Sequence, residues 1–143
     1  MLILDATVIV AVLDRRRQAH APARALLQSG RMLAISTQTV RECLAVATRP
    51  VSANGLGIAY DDAWMSVQEI LMNCARLLLE DNSWWSAYAE LSMLIKPIGR
   101  TIYDLGQVAH TVCAGPTASL VSDDAGLLDR YRHLIRAQTL AAL

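Results

Sequence analysis

A chain of 143 residues is long enough to bury a real core, and its 54% hydrophobic residues, with a mean hydropathy of +0.31, provide the material for one. Thirteen basic residues balance thirteen acidic ones, so bulk charge selects neither nucleic acid nor membrane as partner. No apolar run reaches the roughly 18 residues of a membrane span, and Asp5 stands where the apolar centre of a leader would lie, so a soluble, cytoplasmic protein is expected.

In chain order, Leu2-Ile-Leu4 reads as a short buried strand and Val8 to Leu13 as a following helical turn. Pro22 to Ser29 has a proline near its start and Gly30 at its stop, the asymmetry of a short helix. Arg31-Met-Leu-Ala-Ile-Ser36 reads as a second strand. Ser36 or Thr37 then caps a helix through about Thr48, which Arg49-Pro50 ends. Pro50 to Gly57 is a loop. Asp61 or Asp62 starts a helix whose apolar face runs Trp64, Val67, Ile70, Leu71, with Cys74 at its end. Arg76-Leu-Leu-Leu79 fits either the end of that helix or a strand; the turn signals of Glu80-Asp-Asn-Ser83 favour the strand.

Trp84 to Ile95 follows a helical period through Ala87, Tyr88, Leu91 and Leu94. Thr101 to Cys113 predicts another helix, closed by Gly115-Pro116. Ala118 to Ser122 is the next strand, Leu127 to Tyr131 a short helix, and His133 to Leu140 a final strand. Strands alternating with helices imply a parallel sheet covered on both faces. No repeat or linker divides the chain, so residues 1–143 are expected to form a single domain.

Cys43, Cys74 and Cys113 are odd in number, lack paired zinc spacing and read as reduced core residues. Lys96 is the sole lysine; the other basic residues are arginines, which suit bidentate contacts to phosphate or carboxylate. Arg15-Arg16-Arg17 reads as a solvated helix end. Trp84, Trp85 and Tyr88 share a helical stripe and read as core or a subunit contact rather than as a base-stacking platform. His20, His110 and His133 show no ligand spacing.

Ligands of an open parallel sheet gather beyond the carboxyl ends of its strands. Asp5 lies at such an end, as does the pair Asp123-Asp124. Glu42 sits one and a half turns into the helix after the second strand, and Asp104 in the first turn of the helix leading to the next one. Each has an ordinary explanation. Asp5 and Asp123 can be N-caps, Thr101-Ile-Tyr-Asp104 has the form of a capping box, and Glu42 can be an exposed helix residue. Their shared location points elsewhere. Four like charges in one crevice tolerate each other only when protonated or bound to divalent cations. Oxygen-only ligands suit magnesium or manganese rather than zinc.

These segments resemble a family. Leu2-Ile-Leu-Asp-Ala-Thr-Val-Ile-Val10 is similar to the opening strand of a PIN domain, and Ser36-Thr-Gln-Thr-Val-Arg-Glu42 resembles its second motif. Ile102-Tyr-Asp104 with Leu105 to Ala109 resembles the third motif, and Leu120-Val-Ser-Asp-Asp124 the fourth. The motifs fall in family order over nearly the whole chain. Ala47 to Gly57 further resembles a loop of bacterial VapC-type toxins. The resemblance implies a three-layer α/β/α sandwich around a mainly parallel sheet of about five strands. It implies a Mg²⁺- or Mn²⁺-dependent endoribonuclease, with one or two ions held by Asp5, Glu42, Asp104 and Asp124, and Asp123 as substitute for Asp124. A VapB-type antitoxin and a homodimer are the partners it implies. Ala6, Gly106 and Leu127-Leu128 depart from the family's pattern; Gly106 weakens its helix by about 1 kcal/mol relative to alanine.

On this reading Thr7 and Ser36 orient the carboxylates, and Arg41, Arg49 and Arg100 contact RNA phosphates. An alternative is a PIN-fold protein with weak or no cleavage that binds RNA or protein. A phosphoacceptor domain using Asp5 as nucleophile is disfavoured, because Thr7 stands where a second aspartate would be needed.

Overall fold

β1 (Leu2–Leu4) is three residues long, yet Ile3 and Leu4 are fully buried because the strand lies at the centre of a sheet. β2 (Leu33–Ser36) and β4 (Ser119–Val121) flank it, and β3 (Ala75–Leu78) and β5 (Arg136–Gln138) form the edges. The computed structural model describes residues 1–73 and 75–143; the expectations for Cys74 lie outside the described residues. The strand order is β3-β2-β1-β4-β5 and every pair is parallel, with Leu2 opposite Leu33 on one side and Ser119 on the other.

Successive strand residues face opposite sides of a sheet, and that alternation divides the interior into two cores. Leu4, Leu33, Ile35 and Val121 face one side. There they pack against α1 (Ala6–Leu13), α2 (His20–Leu27), α3 (Thr37–Thr48) and α4 (Tyr60–Asn73). Ile3, Ala34 and Leu120 face the other side, against α5 (Asn82–Ile95), α6 (Thr101–Cys113) and α7 (Ala125–Tyr131). The result is the three-layer α/β/α sandwich that the sequence implies, with a sheet that is wholly parallel among the described residues.

Most elements lie within two residues of expectation, and the differences have local causes. α2 begins two residues before Pro22, which occupies the third helical position, where the missing N–H has no intrahelical acceptor to lose. In α4 the buried stripe is Ala63, Val67 and Ile70, and Trp64 is turned to the surface. In α5 the inward line is Trp84, Tyr88, Leu91 and Ile95, so Leu94 is exposed rather than part of the stripe. Trp85 is exposed as well. Cys43 is a core thiol, pushed up to about 12 by burial, whereas Cys113 is exposed at the end of α6 and is not a core residue; both are free thiols. His110 is buried against Trp84, and burial lowers it to about 4, so it is a neutral packing residue at physiological pH.

Candidate active site

The strand order reverses beside β1. The chain builds β2 and β3 to one side, then returns to place β4 and β5 on the other, which opens a crevice at the carboxyl ends of β1 and β4. Asp5 leaves β1 at that point and caps α1, accepting the Thr7 N–H at 3.4 Å. The hydroxyls of Thr7 and Ser122 each donate to it at 2.9 Å. Both hydroxyls are in turn anchored from the loop after β4: the Asp123 N–H donates to Thr7 Oγ1 and the Asp124 N–H to Ser122 Oγ, each at 3.0 Å. All of the hydrogen bonds to the Asp5 carboxylate fall on Oδ2, and among the described residues Oδ1 accepts none.

Glu42 reaches the same end of the sheet from the second turn of α3. Its Oε1 accepts the Gln38 amide at 2.7 Å, and Gln38 also donates to the Tyr103 carbonyl at 2.9 Å, tying α3 to the start of α6. Burial raises the Glu42 pKa above the usual carboxylate value; the Gln38 bond opposes this, while the charges of Asp5 and Asp104 add to it. Asp104 is raised too, by burial first. Arg100 and Arg130 pull it down, and Asp124 and Asp5 push it up. Carboxylates from four separate segments therefore feel one another's charge.

The capping box around Asp104 does not form. Thr101 Oγ1 instead accepts from the Ile98 N–H and donates to the Ile98 carbonyl, both at 2.9 Å, which leaves Asp104 without a capping role. Asp104 accepts from Arg130 at 3.1 Å. The cap of α7 is Asp124 rather than Asp123. Asp124 Oδ1 accepts the Leu127 N–H at 3.1 Å, and Oδ2 faces Arg100 at 3.3 Å. Asp123 is exposed and accepts the Leu140 N–H at 3.4 Å, so its side chain serves the C-terminal segment.

No protein-family model matches the chain, and no curated protein matches it. Solved structures do. A chain of FitAcB from Neisseria gonorrhoeae superposes with a TM-score of 0.69 at 20% identity, covering 100% of both chains. A chain of VapBC2 from Rickettsia felis, bound to a DNA fragment from their promoter, gives 0.68 at 15% identity over 96% of this chain and 97% of that one. VapBC-1 from nontypeable Haemophilus influenzae gives 0.67 at 18% identity, with 98% of each chain covered. The fold is that of these VapBC and FitAB proteins.

Within this fold, the segments that carry Asp5, Glu42, Asp104 and Asp124 lie toward the carboxyl end of the sheet rather than at its edges. Of the two hydroxyls expected to orient carboxylates, Thr7 contacts Asp5. Ser36 instead caps α3 through the Thr39 N–H at 3.0 Å and joins a buried network with Thr39 and Gln107. Arg41 is tied to Glu80 at 2.8 Å and Arg100 to Asp124. Arg49 lines a groove of about 330 Å³ beside Glu42, together with Arg17, Thr7, Ala6 and Val46. Gln38, Arg17 and Arg130 were not legible as site residues. Gln38 alone carries a sequence signal, since it lies four residues before Glu42 on one helix face.

Carboxylate oxygens are the donors a hard divalent cation takes. Asp5, Glu42 and Asp104 each commit one oxygen to a protein donor and keep the other out of hydrogen bonds among the described residues. As the side chains stand, no three acidic, histidine or cysteine groups among the described residues form a ready metal-binding group. Asp104 and Asp124 lean instead on two arginines, which supply the counter-charge. The donor set fits such an ion in chemistry.

Proposed function

We propose that the chain, as one domain over residues 1–143, is a metal-dependent endoribonuclease toxin of the VapC type. It hydrolyses RNA phosphodiester bonds in the cytoplasm and is held in check by a VapB-type antitoxin. The observation that supports this reading is that Glu42 and Asp104, beside the switch point of the sheet, are each raised by burial and then by the charges of acidic neighbours, Asp5 among them. Similarity to VapBC and FitAB proteins supports the antitoxin; a homodimer completes the proposal.

Asp5 and Asp104 would be the principal ligands of one or two Mg²⁺ or Mn²⁺ ions, with Glu42 and Asp124 completing the set. When bound, such an ion supplies an activated water and the positive charge that a phosphodiester needs in order to approach carboxylates. Thr7 and Ser122 hold Oδ2 of Asp5, which fixes its rotamer before any ligand arrives. Arg49 and Arg17 flank the groove beside Glu42, where they are positioned to contact backbone phosphates without reading bases. The resemblance implies products with a 5′-phosphate and a 3′-hydroxyl.

A PIN-fold binding module with little or no cleavage is the second reading. The pairs Arg130–Asp104 and Arg100–Asp124 favour it, since they neutralise two of the acids internally. One assay decides between the two. Purified protein is incubated with structured and single-stranded RNA in Mg²⁺, Mn²⁺ or chelator, beside Asp5→Asn and Asp104→Asn. Metal-dependent cleavage that disappears in both variants supports the nuclease. RNA retention without cleavage in either metal supports the module and ends the first reading.

A further inference from the structure

We propose that Gln38 is the positioning residue that fixes the Glu42 carboxylate, and that position 106 is a glycine because any side chain there would expel Gln38 from that place. The proposal rests on the reading of Glu42 as part of the site and adds how that carboxylate is held.

Gln38 is buried between α3 and α6, and its Nε2 donates to two acceptors, Glu42 Oε1 at 2.7 Å and the Tyr103 carbonyl at 2.9 Å. The two acceptors fix the orientation of the amide. A flipped side chain would set its own oxygen against a carboxylate and a carbonyl, with no proton between them. The amide oxygen must then point the other way, and there it meets α6 at Gly106. A Cβ on residue 106 would lie 2.5 Å from Gln38 Oε1, closer than real contacts allow.

The amide can yield only by giving up its hydrogen bonds. Moving away from residue 106 breaks both donor bonds, and the other side of Gly106 is in ordinary contact with Trp84. Trp84 Nε1 donates to the Gly106 carbonyl at 3.1 Å, and its ring would stand 3.6 Å from the same added Cβ. Gly106 thus packs between a tryptophan on α5 and a glutamine on α3, and only the glutamine stands where a Cβ would be. A glycine in the middle of an exposed helix only weakens it. Here the helix accepts that weakening, and the space gained is filled by the amide that holds Glu42. Tyr103 precedes Asp104, so one side chain ties Glu42 on α3 to the backbone that carries Asp104 on α6.

The test is a cycle of variants, Gly106→Ala, Gln38→Ala and the two together, with Glu42→Ala beside them. Two measurements are made on each: the Gln38 side-chain amide resonances in metal-free protein, where Gln38 is retained, and Mn²⁺ affinity by calorimetry. In wild type the Gln38 amide protons should shift on Glu42→Ala and on Gly106→Ala. Gln38→Ala and Gly106→Ala should each weaken Mn²⁺ binding by about tenfold, the usual loss when a ligand's supporting hydrogen bond is removed. The double variant should be no weaker than Gln38→Ala alone, because the added methyl then has no amide to displace. Independent, multiplying losses would overturn the proposal, as would amide protons that ignore both Glu42→Ala and Gly106→Ala. If wild type binds no Mn²⁺, the metal reading fails by itself, and the amide resonances alone decide whether Gln38 holds Glu42.

Discussion

Ser122 donates to Asp5 Oδ2 at 2.9 Å across the seam between β1 and β4, two segments 117 residues apart in the chain. The same hydroxyl oxygen accepts the Asp124 N–H, so a single side chain sets the first acid of the site and the backbone of the fourth. Ser122→Ala removes a buried donor from a carboxylate that is itself only 6% exposed. The expected loss is about 1–3 kcal/mol of stability, read by urea denaturation, and about tenfold in cleavage rate. Ser122→Thr keeps the hydroxyl and should recover most of the rate. Equal activity in all three proteins would show that Asp5 needs no help from β4.

Burial sets the pH behaviour of the site. Glu42 and Asp104 have folded-state pKa values above their ordinary values of 4.5 and 3.8, so the folded chain binds their protons more tightly than the unfolded chain does. Their contribution to stability is therefore fully present below those ordinary values and is lost as pH rises through the folded ones, the reverse of an ordinary ion-paired carboxylate. Glu42→Gln should raise the melting temperature of metal-free protein at pH 7 by a few °C. The gain should vanish near pH 4, where the wild-type carboxyl is itself protonated. A lower melting temperature at pH 7 would mean that the negative charge at residue 42 is not a liability.

The same charge arrangement explains why the acids were legible before the fold was. Strands as short as Leu2-Ile-Leu4 and Ser119-Leu-Val121 betray themselves because both of their faces are buried, and the acids follow directly from where those strands stop. A hydroxyl cap of α3 at Ser36 or Thr37, of which Ser36 is the one formed, and the span of α6 were readable from local chemistry alone. What local sequence does not carry is rotation about a helix axis and the choice between adjacent groups. Trp64 and Leu94 fit the core face by helical period, yet the faces set by Val67 and Ile70, and by Trp84 and Leu91, turn them outward. Asp123 and Asp124 differ only in which one the loop after β4 aims at α7. Arg130 meets Asp104 from 26 residues away, a contact that depends on how α7 packs against α6.

Arg130 is the arginine paired directly with Asp104. Its guanidinium stands 3.1 Å from Oδ2, with the arginine side chain 46% exposed and the aspartate 15% exposed. A pair this open contributes at most about 1 kcal/mol to stability, so Arg130→Gln should fold almost as well as wild type. It should also bind Mn²⁺ several-fold more tightly, because an arriving cation no longer competes with the guanidinium for Asp104. Calorimetry at constant ionic strength makes the comparison. Unchanged or weaker Mn²⁺ binding would show that Asp104 is not a ligand, or that Arg130 assists the ion rather than rivals it.

Gly55 positions the loop that carries Arg49 to the groove. A Cβ on residue 55 would drive into the Arg49 carbonyl, and a carbonyl cannot swing aside as a side chain can. That carbonyl is already committed, since it accepts the Gly57 N–H at 2.9 Å, while the Gly55 N–H donates to the Pro50 carbonyl at 3.0 Å. Gly55→Ala must therefore open the turn or shift the end of α3, a cost of about 1–3 kcal/mol by overpacking. The expected signature is a lower urea midpoint with an unchanged slope. RNA affinity should fall as well, because Arg49 moves with its backbone, while Mn²⁺ binding at the carboxylates stays the same. If Mn²⁺ binding falls in step with stability, the loop and the acids form one cooperative unit, and Arg49 has no separable role in holding RNA.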